Sequence, residues 1–266
     1  MRTIAIAGVG LIGGSFGLAA RKAGFDGTIL GVSSARTIDR AVARGAIDRG
    51  VTLAEAAAAA DLIFLAQPIS VILQTLATLN PLVQPHAVVT DAGSTKAFIC
   101  AEAARSLDRC RFVGGHPMAG KEISGVDAAE PDLFRGRPWV FTAEPPLPLR
   151  DLIAAFGARI LIMKPEEHDR MVAWSSHLPQ LVSTALAGAV HHHAPDAVAV
   201  AGPGLRDMTR LAASPWDLWR DIIATNQDNV YAALDAYIAR LESLRGGLDA
   251  EFERALKFSS ELRRPQ

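Results

Sequence analysis

Thr3-Ile-Ala-Ile-Ala-Gly-Val-Gly-Leu-Ile-Gly-Gly-Ser15 is the stretch that decides how this chain begins to fold. Thr3–Ala7 is a short, mostly β-branched apolar run bounded by glycine, the pattern of a buried strand. Gly8-Val-Gly10-Leu-Ile-Gly13 follows directly, and a helical apolar pattern covers Leu11–Ala23. The spacing fits G-x-G-x-x-G in its proper setting, between a strand and a helix. The first glycine permits the tight turn, the second lets the backbone approach a pyrophosphate, and the third lets the helix lie close on the strand. The start of the helix then offers free N–H groups and a positive dipole end to an anion. Gly8, Gly10, Leu11, Ile12 and Gly13 therefore read as a dinucleotide-binding turn, against the plainer alternative of a glycine-rich turn with no ligand.

Working outward, the first 140 residues alternate the same two patterns. Strands are expected at Thr28–Val32, Asp61–Ala66, Ala87–Thr90, Arg111–Gly114 and Trp139–Thr142. Helices are expected at Thr37–Arg44, Leu53–Ala60, Ile69–Leu79 and Thr95–Ser106. Buried strands alternating with helices predict an α/β fold, a Rossmann-type doubly wound parallel sheet covered on both faces. The Pro-rich Ala143–Pro148 reads as a linker. Beyond it come a helical Leu149–Gly157, a short strand at Arg159–Met163, and then almost pure helical periodicity. Long helices are expected from Pro165 to about His192 and over Pro215–Arg245, with others at Pro195–Ala201, Pro203–Ala213 and Gly247–Leu262. The expected organisation is a nucleotide-binding domain over 1–146 and an all-helical domain over 147–266 that binds substrate and dimerises.

Composition narrows the function. The 266 residues are 50% hydrophobic and 21% charged, which excludes a disordered chain. Lys+Arg is 27 against 28 Asp+Glu, so the basic excess of a nucleic-acid binder is missing. Two cysteines, Cys100 and Cys110, make neither a disulfide framework nor a metal-ligand pattern. No apolar run is long enough to span a membrane, and the glycines in the first segment argue against a leader, so a cytoplasmic protein is expected. His191-His192-His193 points in different directions around a helix and reads as an exposed helix end, with no metal site expected.

The ends of the strands carry the candidate chemistry, since ligands of open α/β sheets bind beyond the carboxyl ends of the strands. Near the end of the second strand, Ser33, Ser34 and Arg36 stand where an acid usually binds the adenosine ribose of NAD. Hydroxyls and a guanidinium suit a 2′-phosphate, so NADP is the preferred cofactor and NAD the alternative. Gln67, Pro68 and Asp91, at later strand ends, complete the expected cofactor set. His116, in Gly114-Gly-His-Pro-Met-Ala-Gly120, is placed on a loop where it can take a hydroxyl proton as hydride leaves. Ser94, in Asp91-Ala-Gly-Ser-Thr-Lys96, reads as a partner of that base or as a helix N-cap. In the helical half, His177 and Gln180 share a helix face. Pro179 is expected to kink the helix there. Arg206 and Arg210 suit bidentate binding of a carboxylate or, more plainly, a surface ion pair.

Together, GVGLIGGS at 8–15, DAGSTK at 91–96, GGHPMAG at 114–120, EHD at 167–169, SHLP at 176–179, RDMTR at 206–210 and SPWDLWRDI at 214–222 resemble the prephenate/arogenate (cyclohexadienyl) dehydrogenase family of tyrosine biosynthesis. The resemblance spans nearly the whole chain. It implies a Rossmann domain joined to a helical dimerisation domain, a homodimer, and oxidative decarboxylation of a ring substrate with NAD or NADP. It implies that His116 takes the ring hydroxyl proton, Ser94 bonds the same hydroxyl, Arg210 binds a substrate carboxylate and His177 lines the pocket, with Glu122 and Trp219 nearby. Three departures stand out: Ser33 in place of an acid, Gln180 in place of a second histidine, and Lys121 after the GGHPMAG loop. Lys121 and Gln180 lie where the substrate side chain is read, so prephenate and arogenate both stay open. No fused regulatory domain is expected. Two rival readings are a β-hydroxyacid or 6-phosphogluconate type of dehydrogenase, which lacks the GGHPMAG loop, and a non-catalytic dinucleotide-binding regulator.

Overall fold

The computed structural model describes residues 1–121 and 123–264. Its first part builds β1 (Thr3–Ala7), α1 (Leu11–Lys22), β2 (Thr28–Val32), α2 (Ala35–Ala43), β3 (Arg49–Gly50), α3 (Leu53–Ala59), β4 (Leu62–Leu65), α4 (Ile69–Leu79), β5 (Val88–Asp91), α5 (Ala97–Ser106) and β6 (Arg111–Val113). The strands lie in the order β3-β2-β1-β4-β5-β6 and every neighbouring pair is parallel. This is the doubly wound order, and it reverses between β1 and β4, where a ligand crevice opens. Alternate residues of each strand feed two apolar cores. Ile4, Ile6, Leu62 and Phe64 face one with Phe16 and Trp139, while Ala5, Ile63 and Leu65 face the other with Ile72 and Leu76.

The strand expected at Trp139–Thr142 does not join this sheet. A second sheet is made of β7 (Gly115–Pro117), β8 (Pro138–Phe141) and β9 (Arg159–Ile162), in that order, with α6 (Leu147–Ala155) between β8 and β9. The chain leaves β6 at Gly114, where any Cβ would sit 2.8 Å from Cys100 Sγ and 2.9 Å from Thr142 Oγ1. His116 therefore lies within β7, opposite Val140, and not on a loop. α6 and β9 lie past the expected boundary at residue 146, yet Leu149, Ile153 and Phe156 enter the same core as Phe16 and Trp139.

The helical part comprises α7 (Pro165–Val172), α8 (Leu178–His193), α9 (Pro203–Thr209), α10 (Trp216–Thr225), α11 (Gln227–Ser243) and α12 (Leu248–Leu262). The helix expected from Pro165 to about His192, with a kink at Pro179, is interrupted by a π-type turn over Ala173–His177. Pro179 supplies the reason: its ring lacks an N–H and would press on the carbonyl of Ser175, and a widened turn relieves both problems. The helix expected over Pro215–Arg245 breaks at Asn226, whose side chain leaves the helix pattern to bind Asp169 and His177. The buried cluster of this part is small, centred on Ala173, Leu178 and Ala233, whereas Leu248, Phe252 and Leu256 of α12 are exposed. Among the described residues no helix is long and apolar enough to cross a membrane.

Candidate active site and nucleotide site

The glycines of the first turn divide the work as their spacing requires. Gly8 has φ +90°, and a Cβ there would lie 2.5 Å from the carbonyl oxygen of Ala66. A Cβ on Gly13 would lie 2.0 Å from the carbonyl oxygen of Gly8, so this glycine brings α1 onto β1. Around Gly10, in contrast, nothing lies within 4 Å of a Cβ position. That open side faces the start of α1, which has no side-chain cap to occupy its first N–H groups.

A cavity of about 340 Å³ opens at this point, lined by Gly8, Gly10, Ser33, Thr37, Gln67 and Pro68 together with Val9, Val32, Ala66, Gly125 and Val126. The turn, the open face over Gly10 and the uncapped helix fit a dinucleotide. Leu11 and Ile12 pack their side chains against the core and are not among the residues lining the cavity. Ser34 caps α2 by position, its hydroxyl 2.9 Å from Thr37 Oγ1, and Arg36 is exposed in the first turn of that helix. Asp91 departs from expectation. Its carboxylate is fully buried, accepts from Gly93 N at 2.8 Å and Gly115 N at 3.0 Å, and pairs with Lys96, so it does not line this cavity.

A second cavity, of about 680 Å³, is lined from both parts of the chain. Ser94, His116, Met118 and Lys121 come from the nucleotide-binding part; Ser175, Ser176 and Trp219 come from the helical part. His116 is almost wholly buried. Its Nδ1 lies 2.8 Å from Nε2 of His168, and Nδ1 of His168 lies 2.8 Å from Oδ1 of Asp169. Asp169 also accepts from the backbone N–H of Lys96 at 2.7 Å and of Ala97 at 2.9 Å. This distant carboxylate, not Ser94, caps α5, which starts at Ala97 and not at Thr95. Ser94 is thereby left at the cavity. Burial first, then the neighbouring His168, Lys96 and His177, push the pKa of His116 well below the ordinary histidine value. The ring is neutral at pH 7, as a base must be.

Lys96 and Asp91 form a fully buried ion pair, and Lys96 Nζ also donates to Gly115 O at 2.7 Å. The pair fastens the turn that carries Ser94 to the strand that carries His116.

The remaining expected substrate residues are scattered. Trp219 lines the cavity, and its buried Nε1 has no partner among the described residues. His177 stands behind it, edge-on at 5.9 Å between ring centres, and burial pushes its pKa down to about 4. Lys121 lines the cavity but pairs with Glu130 at 2.7 Å. Gln180 is not brought to the cavity: it is buried and donates to Leu211 O at 2.9 Å and Thr184 Oγ1 at 3.2 Å. Arg210 is exposed, on the turn Arg210–Ala213 that packs on α8. Glu122 lies outside the described residues. His191, His192 and His193 are exposed at the end of α8.

The nucleotide-binding domain of prephenate dehydrogenase matches residues 16–152, and the prephenate dehydrogenase dimerization domain matches residues 164–258. The chain belongs to the prephenate dehydrogenase family. It is 35% identical to a prephenate dehydrogenase of Lactococcus lactis subsp. cremoris over 92% of this chain and 70% of that one. Among solved structures it resembles a prephenate dehydrogenase from A. aeolicus in complex with hydroxyphenyl propionate and NAD+ (TM-score 0.87, 31% identity, 99% of this chain and 96% of the other). It also resembles a Synechocystis arogenate dehydrogenase (TM-score 0.80, 33% identity, 98% of each chain). The chain is thus an oxidoreductase with a nicotinamide-dinucleotide site, and the rival readings give way.

Within this family framework, sequence reasoning missed four residues around His116: His168, Asp169, Lys96 and Asn226. Glu167-His-Asp169 was visible as a motif, and its signal was a histidine–acid pair on the first turns of an otherwise ordinary helix. Arg137 was also missed. It lines the cavity with His116 and forms no ion pair among the described residues, although Glu130 and Asp132 line the same cavity. The other cavity cations, Lys121 and Arg135, pair with Glu130 and Asp132.

Proposed function

We propose that this enzyme oxidises and decarboxylates a cyclohexadienyl acid, turning prephenate into 4-hydroxyphenylpyruvate or arogenate into tyrosine. The observation that carries the reading is His116 lining the cavity, with its Nδ1 held by His168, and Ser94 lining the same cavity. His116 takes the proton of the ring hydroxyl at Nε2 while Ser94 bonds the same oxygen. A dinucleotide held at the first cavity by the Gly8–Gly13 turn would supply the hydride acceptor through its nicotinamide end. As the hydroxyl carbon becomes a carbonyl, the ring carboxylate leaves as CO₂, its bonding electrons enter the ring, and the carbonyl regains a proton as a phenol. Buried surroundings at His116 keep water from competing for that proton.

Two arginines suit the two carboxylates of such a substrate. Arg137 approaches from the start of β8. Arg210 sits on the turn leading to α10, the helix that lines the cavity through Leu218, Trp219 and Ile222. Lys121 tunes the side-chain end through its exchange with Glu130, and His177 and Gln180 support the wall from behind. Ser33 and Arg36, with the start of α2, favour NADP over NAD. The working units meet near Met163, since α6 and β9 pack with the nucleotide-binding part. The exposed apolar helices pair in a homodimer.

The deciding experiment is a spectrophotometric assay of the purified protein with each ring acid and each cofactor. Reduced nicotinamide should form only with a cyclohexadienyl acid present, and with higher kcat/KM for NADP. No turnover with either acid would overturn the activity.

A further inference from the structure

Asp169 has both carboxylate oxygens occupied by backbone N–H groups of Lys96 and Ala97, so it acts as an acceptor. His168 Nδ1, 2.8 Å from the same Oδ1, must then donate. A neutral His168 is left with a lone pair on Nε2, and the group 2.8 Å away, His116 Nδ1, must donate to it. His116 is thereby left with its lone pair on Nε2. All three side chains are buried, His168 wholly so, and no other hydrogen-bond partner of the His116 ring is found among the described residues.

We infer that His168 and Asp169 are positioning residues that fix the tautomer of His116, so that the helical part of the chain sets the base carried by the nucleotide-binding part. The inference rests on His116 being the base. When Nε2 of His116 takes a proton, the new positive charge is shared through the Nδ1–H bond with His168, whose far nitrogen faces the Asp169 carboxylate. The same carboxylate caps α5 two residues after Ser94. Asp169 therefore holds His116, in β7, through His168, and holds the turn of Ser94, after β5, through the start of α5. Lys96 and His177 are the other titratable groups facing His116, and both disfavour a second positive charge there. This sharpens the need for the carboxylate behind His168.

The test uses four variants of the full chain. In Asp169→Asn the one remaining oxygen belongs at the Oδ1 position, where it meets two donors, Lys96 N–H and His168 Nδ1–H, so the tautomer is kept and only the negative charge behind His168 is lost. The expected result is a kcat lowered about 10–150-fold, the worth of a charge-assisted bond, with KM and cofactor affinity changed far less. Nitrogen-15 NMR of the imidazoles should show His116 in the Nδ1–H form in the wild type and in Asp169→Asn, and should show that form lost in His168→Leu. His168→Gln, which can still accept from His116, should keep it and exceed His168→Leu in kcat by at least tenfold. Should Asp169→Asn fail to fold, the Gln/Leu comparison decides alone. His116→Asn separates the two readings. Wild-type kcat in that variant overturns the base itself. A slow His116→Asn beside a wild type whose His116 carries its proton on Nε2, or equal Gln and Leu variants, overturns the relay alone.

Discussion

The two parts of this molecule satisfy their apolar surface in opposite ways. The nucleotide-binding part sandwiches a six-stranded sheet between two cores, and its strands β1 and β4 are almost entirely buried. The helical part buries little and leaves a stripe at Leu248, Phe252 and Leu256, spaced four apart on α12, open, and Tyr231, Ile238 and Leu241 of α11 are exposed as well. The first folds around its own centre, whereas the second has the surface of half an assembly. The contrast teaches where precision comes from. The closed part carries the dinucleotide-sized cavity and His116, and the open part reaches across with Asp169 and Asp221 to lock them. Asp221 Oδ2, for example, accepts from Ser70 N at 3.0 Å, at the start of α4.

The sharpest way to break the contrast is to charge the open stripe. Phe252 and Leu256 would each occur twice in a two-fold dimer, so a double change to Asp exposes four side chains. At about 1.5–3 kcal/mol for each apolar side chain buried, association should weaken by at least about 10⁴-fold. Light scattering should give twice the 28.2 kDa chain mass for the wild type and a single chain mass for the variant. A wild-type monomer at micromolar concentration would show that the stripe has some other purpose.

The next largest effect is expected at the two arginines. Losing a charge-assisted hydrogen bond costs about 1.5–3 kcal/mol, or about 10–150-fold in affinity. Arg137→Ala and Arg210→Ala should each raise KM for the ring acid in that range and leave cofactor affinity, read by fluorescence titration, nearly unchanged. A normal KM in one variant assigns the carboxylate to the other; normal KM in both moves it to Arg206 or Arg135.

How much of this was legible in the sequence follows the same division. Short continuous apolar runs and punctuating glycines are local signals, so β1, β2, β4, β5 and the phosphate turn could be read directly. The second sheet could not. Trp139–Phe141 has the pattern of any buried strand, and only the close approach at Gly114 sends it to different partners. The relay was hidden because His168 and His116 are 52 residues apart and joined only by the docking of α7 on α5. Asp91 was misassigned for a related reason: a strand-end acid looks the same whether it faces a ligand or a buried lysine. Gln180 lies one turn from where the π-type turn ends, and that extra residue alters which face it presents.

A smaller effect is expected at Ser33. An Asp there would bring a negative charge against a 2′-phosphate at the rim of the first cavity. One such contact in a largely aqueous setting is worth about 1 kcal/mol. Ser33→Asp should therefore lower kcat/KM for NADP about five- to tenfold and leave NAD equal or improved. A wild-type preference for NAD would remove the premise.

The smallest effect tests the junction between the two parts through pH. His177 is held neutral behind Trp219, its Nδ1 3.2 Å from Asn226 Nδ2, and burial lowers its pKa from 6.5 to about 4. In the unfolded chain the same histidine titrates near its ordinary value. Between these two values the unfolded state binds more protons, so stability is complete above pH 6.5 and declines as pH falls toward 4. One such group contributes at most about 1.4 kcal/mol per pH unit. In a chain of this size that is a Tm change of roughly 2–5 °C per unit. His116 is shifted the same way and adds to the slope. His177→Gln keeps an oxygen to meet Asn226 but carries no titrating ring. Its Tm, measured by calorimetry from pH 7 down to pH 5 and so above the range of the carboxylates, should fall less steeply than that of the wild type. Identical slopes would mean that His177 reaches water in solution, and that the helical part closes over the active site less tightly than its contacts with α5 and α4 imply.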